Sequence, residues 1–429
     1  MNGGRKLWRV GRALFSAEGR EFLVRRTYDP WQAWYFAVAR LHRRTVGRQR
    51  RIVVVVGTYG KTTTTRAVLR ALGLPPRDAA ANDNYSGMIA LTYLRTPRVQ
   101  RTAVIEIGIA RPGQMAGWAR ALRPDVVVVT CIGDEHILSF RDREHIRDEK
   151  AEAVRCLGPH GVAVLNRDDP LVAGMAGMTR ARVVWYGFDA ASTYRGTNWT
   201  SGWPGPARLD YAAGENAGSI RCGFVARETA YALLAALAVA GATVQETARA
   251  AENLEGMEAT PGRLDRRCTP GGVWIVRDDF KGNLQTYEVA FAAVRNLPGR
   301  LFLVLGGIAA LPGPRRPGYR NLAKVVAGIF DEVIVVNNAW DIYAPELRRQ
   351  SAAGARVSAF ARARSRREVA DILRRRCAPG DVVLIKGRTN EYLGEIADLL
   401  LRDAVSSPAE IGADTAVDGE AAESEMPAD

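Results

Sequence analysis

Histidine and cysteine are scarce in this chain of 429 residues: four His and five Cys. The cysteines (Cys131, Cys156, Cys222, Cys268, Cys377) are scattered and form no C-x-x-C pair. That argues against a disulfide framework or a paired-cysteine zinc site and suits a reducing compartment. No apolar run reaches the ~18 residues that a membrane-spanning helix needs. The opening residues Met1 to Lys6 lack the apolar stretch of a secretory signal. Internal repeats are absent, and so is an N-K-x-D guanine motif. With 47% hydrophobic and 25% charged residues, the expectation is a globular cytoplasmic protein of two or three domains.

The net charge of +14 is unevenly placed. Residues 1–51 hold 13 Arg or Lys against Glu18, Glu21 and Asp29, interleaved with Trp8, Phe15, Phe22, Tyr28, Trp31, Trp34, Tyr35 and Phe36. Two readings are open: a helical arm packed on the domain with its arginines wet, or a patch for an anionic membrane surface at the inner face of the membrane. Nucleic acid ranks far behind, because no recognised binding motif accompanies the charge. Asp403 to Asp429 carries eight acids and no Lys or Arg; its composition predicts a disordered tail.

The densest chemistry lies in Arg51–Thr63, R-I-V-V-V-V-G-T-Y-G-K-T-T. Four consecutive valines read as a strand buried on both faces. Gly57 and Gly60 let the backbone curl so that its N–H groups, with those of Thr58 and Thr63, can face an anion. Lys61 adds a cation and Thr62 a hydroxyl suited to Mg²⁺. A helix from Thr62 to about Leu72 places its positive end under the same loop. Strand, glycine turn and helix make a phosphate cradle. Only Thr58 and Tyr59 separate the two glycines, so the loop is shorter than that of ordinary P-loop NTPases, which with the missing guanine motif sets aside a GTPase.

Beyond this loop, apolar runs alternate with helical patterns. Thr102–Ile107, Asp125–Thr130, Val162–Leu165 and Val183–Tyr186 read as strands; Pro112–Leu122 and His145–Leu157 read as helices. Residues 187–223 read as loops and short antiparallel strands, and Thr229–Ala240 as an Ala/Leu helix. A second alternating block has strands at Val273–Val276, Leu301–Leu305, Glu332–Val336 and Val382–Ile385. Its helices read as Leu284–Asn296, Tyr319–Phe330, Arg366–Arg375 and Tyr392–Leu401. The pattern predicts an α/β fold: a parallel-sheet P-loop ATPase domain followed by a Rossmann-like α/β domain. Boundaries are expected at a basic extension (1–50), a central ATP-binding domain (51–261), a C-terminal domain (262–403) and an acidic tail (404–429).

Several motifs, in order, resemble the Mur ligase family, and within it the branch that adds D-alanyl-D-alanine to a muramyl tripeptide. After the P-loop come Asn82-Asp83-Asn84 before a helix, Glu106-Ile107-Gly108 after a strand, Thr130-Cys131-Ile132-Gly133-Asp134-Glu135-His136, Glu149-Lys150-Ala151-Glu152 and Asn166-Arg167-Asp168-Asp169. Gly262-Arg263, Asp278-Asp279 and Leu384-Ile385-Lys386-Gly387 follow. The resemblance implies an ATP-dependent ligase that forms an amide through an acyl-phosphate, joining a small-molecule or peptide carboxylate to an amino acid or dipeptide amine. It implies two Mg²⁺ ions, with Thr62 and Glu106 at one and His136 at the other, and a carboxylated Lys150 supporting the metal. It also implies Lys61 and Arg263 on the γ-phosphate, Asp279 on the ATP ribose, and Asn82, Asn84, Lys281, Asn283 and Lys386 toward substrates.

The departures from that family bear on substrate. About fifty residues precede the P-loop, too few for a uridine-binding domain, so an acceptor without UDP is open. Folate polyglutamate and poly-γ-glutamate ligases are the two-domain alternatives. Glu228-Thr229-Ala230-Tyr231-Ala232 replaces the family's adenine-contacting asparagines, which leaves a catalytically weak ATP-binding scaffold as a further alternative.

Overall fold

The structure is a computed structural model and describes residues 31–76, 86–243, 246–309, 314–336 and 339–402. The expected tail (404–429), most of the basic extension, and Asn82 and Asn84 lie outside the described residues.

Helix α1 (Gln32–Arg44) precedes strand β1 (Arg51–Val56), helix α2 (Lys61–Ala71), helix α3 (Ser86–Arg95) and strand β2 (Thr102–Glu106). Then come α4 (Gln114–Leu122), β3 (Val126–Val129), α5 (Arg143–Arg155), β4 (Val162–Asn166) and β5 (Arg182–Gly187). Strands β6 (Tyr194–Thr200), β7 (Ala207–Ala213) and β8 (Asn216–Cys222) complete an eight-stranded sheet, ordered β2-β1-β3-β4-β5-β6-β7-β8. β1 to β6 run parallel; β7 pairs antiparallel with both β6 and β8. The Gly/Thr/Ser-rich stretch thus makes three seven-residue strands that extend the sheet, with a register shift at Gly196/Asn198 in β6.

The valine run behaves as its composition demands. Ile52 to Val56 have no exposed surface. Val53 and Val55 face one core with α2, while Ile52, Val54 and Val56 face the other, shared with α1, α3 and α4. A strand covered on both faces has no use for polar alternation. Helix α6 (Ala230–Ala242) is buried almost all round and packs on α2; its alanines let the two helices approach closely.

After α7 (Thr247–Leu254) the chain enters a second sheet. It contains β9 (Asp265–Cys268), β10 (Trp274–Asp278), β11 (Leu301–Leu305), β12 (Glu332–Val335), β13 (Ala359–Arg362) and β14 (Val382–Lys386), ordered β13-β12-β11-β14-β10-β9. All pairs are parallel except β9 with β10. Helices α8 (Leu284–Val294), α9 (Arg315–Ala327), α10 (Trp340–Ala352), α11 (Arg366–Arg376) and α12 (Gly394–Arg402) cover it. The chain therefore forms two α/β domains with mainly parallel sheets. Their carboxyl strand ends, where open sheets bind ligands, meet at one cleft.

Candidate active site

The cleft encloses about 480 Å³ and takes walls from both sheets. Its floor is the turn after β1. Gly57 has φ +141° and Gly60 φ +77°, conformations that L side chains rarely adopt. The turn is stitched to the segment after β3: Thr58 N–H donates to the Cys131 carbonyl at 2.7 Å, Gly133 N–H to Thr58 Oγ1 at 2.9 Å, and Thr130 Oγ1 to the Tyr59 carbonyl at 2.6 Å. Lys61 is buried at the first turn of α2 and donates to the Thr58 carbonyl at 2.9 Å. Fixed loop, helix N-terminus and ammonium together make a rigid anion cradle.

At the edge of the cradle Thr62 Oγ1 donates to Glu106 Oε2 at 2.8 Å. Both residues line the cleft, so a hydroxyl from the first turn of α2 and a carboxylate from the end of β2 meet beside the phosphate turn. Among the described residues no three or more His, Cys, Asp or Glu side chains gather into a metal-holding group. Mg²⁺ takes one or two protein oxygens and fills its shell with phosphate and water, and the Thr62 hydroxyl and Glu106 carboxylate are such oxygens. The donor set fits the group.

Lys150, on α5, is buried with its ammonium 2.8 Å from the Gly57 carbonyl. Burial, reinforced by the neighbouring Lys61 charge, brings its pKa down to about 7, so a sizeable fraction is free amine near neutrality. His136 follows in the left-handed region, φ +65°, with its ring exposed. Burial of its inner face, against an opposing pull from Glu135, holds its pKa below the usual imidazole value.

Glu135, which carries no expected role in the motif Thr130 to His136, is central to the cleft. It ion-pairs with Lys281 from the second domain and lies 3.9 Å from Lys61 and from His136. Burial alone would raise its carboxyl pKa; the charges of Lys61 and Lys281 outweigh this and bring it to about 2. The signal was invisible because Lys281 is 146 residues away in sequence. A second tie is Asp134 N–H to Gln285 Oε1 at 3.1 Å.

The second domain contributes Arg263, Asp278, Lys281 and Gln285 to the cleft. Arg263 lays its guanidinium over the Phe280 ring, 4.1 Å from the centroid, and its buried Nε has no hydrogen-bond partner. An orphaned guanidinium nitrogen at a cleft wall is what an anionic ligand would satisfy. Two expected contacts require correction. Asp279 does not line the cleft; it faces a separate depression and binds Arg277 at 3.3 Å, and Asp278 takes the cleft position instead. Lys386 is fully buried, 2.7 Å from Asp278 Oδ2 and 3.0 Å from Thr286 Oγ1, so it braces the wall rather than touching a substrate. Asn283 stands at the N-cap position of α8, where its side chain makes no capping bond.

The far end of the cleft is lined by Asp168, Glu228, Thr229 and Tyr231. Tyr231 donates to Asp168 Oδ2 at 2.7 Å and packs edge-on against Phe188. Asn166 and Asp169 brace the segment after β3, through the Thr130 carbonyl at 2.9 Å and Ile132 N–H at 2.8 Å. The N-x-D-D motif thus acts on the cleft partly through its neighbours.

Known proteins match this arrangement. Residues 55–240 match the Mur ligase middle domain, and residues 262–389 match the Mur ligase glutamate ligase domain. The UDP-N-acetylmuramoyl-tripeptide–D-alanyl-D-alanine ligase of Mycobacterium leprae is 27% identical over 388 residues, spanning 83% of this chain and 74% of that protein. The cyanophycin synthetase of Synechocystis is 29% identical over 319 residues, 66% of this chain and 35% of that protein. In fold, MurF from Acinetobacter baumannii superposes with TM-score 0.74 at 20% identity, covering 86% of this chain and 80% of that one. The MurF ligase of Thermotoga maritima, solved in complex with ADP, gives TM-score 0.72 at 21% identity, covering 87% and 84%. Matched in both domains, the chain belongs to the Mur ligase family of ATP-dependent, ADP-forming amide ligases.

Proposed function

We propose that this ligase joins a carboxylate on a peptide-bearing precursor of the cell envelope to the amine of an amino acid or short peptide. The observation that supports this reading is the shared cleft. Lys61, Thr62 and Glu106 stand on one wall and Arg263 and Lys281 on the other, so a nucleotide triphosphate and a carboxylate would be enclosed between domains.

The acceptor carboxylate oxygen attacks the γ-phosphorus, the bond to the β-phosphate oxygen breaks, and ADP leaves. The amine nitrogen then attacks the acyl carbon, inorganic phosphate departs, and the nitrogen loses a proton. Lys61 and the amides of Tyr59 to Thr62 neutralise charge on the transferring phosphoryl group. Arg263 faces the same group from the second domain. Enclosure excludes water, which would otherwise hydrolyse the acyl-phosphate. Mg²⁺ would supply further charge neutralisation, held by Thr62 and Glu106 at one site and by His136 with a carboxylated Lys150 at the other.

Phosphate release tests the reading, with muramyl peptides and amino-acid polymers screened as acceptors against amino acids and dipeptides as donors. Repeated turnover to ADP should require both substrates, and Lys61→Ala and Glu106→Ala should abolish it with little change in thermal unfolding. Turnover indifferent to acceptor and amine, or retained in either variant, would refute it.

A further inference from the structure

We infer that the outer face of α1, together with the turn after α3, is a docking surface for an anionic lipid bilayer. Helix α1 packs inward through Phe36, Ala39 and Arg43. Its opposite face leaves Trp31 59%, Trp34 56% and Leu41 65% exposed, joined by Val46 at 71% and Val99 at 90%. Single exposed apolar side chains are ordinary on protein surfaces; here five gather on two neighbouring segments. The two segments are pinned together: Arg50 Nη2 donates to the Pro97 carbonyl at 2.9 Å, and His42 Nδ1 and Tyr93 Oη are hydrogen-bonded at 2.8 Å.

The charge around these side chains has one sign. Residues 31–51 and 86–101 contain nine arginines and no Asp or Glu. Arg43 and Arg50 are buried, and Arg43 is taken up by Asp125 at 2.8 Å and by backbone carbonyls. Arg40, Arg44, Arg48, Arg95, Arg98 and Arg101 are exposed. Tryptophans at helical spacing, bordered by arginines, fit a helix lying in an anionic headgroup layer, apolar side chains sunk and guanidinium groups on phosphates. No described helix is long and apolar enough to cross a membrane. Leu41, Val46 and Val99 would add nothing to recognition of a nucleic-acid backbone, so a lipid surface uses more of the patch. Arg51 opens β1 and its N–H donates to the Arg101 carbonyl at 2.8 Å. The turn end of the patch therefore lies at the strand edge opposite the phosphate loop, and docking there leaves the cleft open.

Co-flotation of the full chain with vesicles tests the surface. Vesicles of phosphatidylcholine mixed with phosphatidylglycerol should bind the protein, increasingly as salt is lowered, whereas phosphatidylcholine alone should not. The double variants Trp31→Ala/Trp34→Ala and Arg98→Gln/Arg101→Gln should each weaken binding at least about tenfold, with thermal unfolding and ATP turnover unchanged. Failure to bind the mixed vesicles, or equal binding by wild type and both variants, would overturn the inference. So would a patch-dependent affinity for duplex DNA exceeding that for vesicles, or a patch-dependent dimer in solution.

Discussion

Gly57 shows how one residue holds the phosphate cradle open. At φ +141° an L side chain is strained, and a Cβ there would run into Thr130 Oγ1, whose hydroxyl ties the turn down. Backbone strain of this kind costs about 1–3 kcal/mol, and the clash adds to it. Gly57→Ala should therefore lose at least about 2 kcal/mol in urea unfolding, and calorimetry should show ATP affinity reduced by about tenfold or more. A variant with native stability and affinity would mean that the turn is not the cradle. Lys150 offers a second residue-scale test. Its buried amine, with a pKa brought to about 7 by burial and by Lys61, is nucleophilic enough near neutrality to add CO₂. Native mass spectrometry should find one extra CO₂ on the intact chain, lost on acidification. Lys150→Ala should lose most activity and regain part of it with added formate or acetate, which would restore the missing carboxylate. A bare lysine in active protein would remove this role.

Elements were legible wherever burial was two-sided or helical period was strong. The valines of β1, the run Leu301–Leu305 and the Ala/Leu pattern of α6 announced themselves, because a fully covered strand or helix tolerates no polar residue. Strand β13, with half-buried Ala359, Phe360 and Ala361, gave no such run, since it is an edge strand with one neighbour. Helix α10 was hidden by its internal Pro345, and β9 by Arg266 and Arg267, which its edge position leaves near solvent. In the site, cradle residues contiguous in sequence were readable, whereas the choice of Asp278 over Asp279 depended on which side of β10 faces the cleft. Glu135 acquires its partners only through tertiary contact. The burial of α6 also carries a prediction. Leu237 has no exposed surface between α2 and the sheet, so Leu237→Ala should cost about 2–5 kcal/mol, read from the urea midpoint at constant slope. A loss under about 1 kcal/mol would show that this helix is not packed as described.

For the whole molecule, the cleft between the two domains has a consequence in protons. Lys281 is held near pKa 8, first by burial and then by Lys61, with Glu135 pulling the other way. Lys281 therefore binds its proton less tightly in the closed molecule than a solvated lysine would. In a molecule opened to water Lys281 would return toward 10.5, so between about pH 8 and 10.5 the open form binds more protons and rising pH favours closure. A bound triphosphate reverses the local balance. Its negative charge beside Lys61 and Lys281 favours the ammonium form and raises the pKa of Lys281. ATP binding near pH 8 should accordingly take up protons from solution, fewer as the pH falls below about 7 and Lys281 is already charged. Calorimetry in buffers of differing ionisation enthalpy measures this directly. Lys281→Met should reduce the uptake while leaving Lys61 and the cradle in place. If ATP bound without proton uptake at pH 8, or released protons, its phosphates would not lie between the two domains against these lysines.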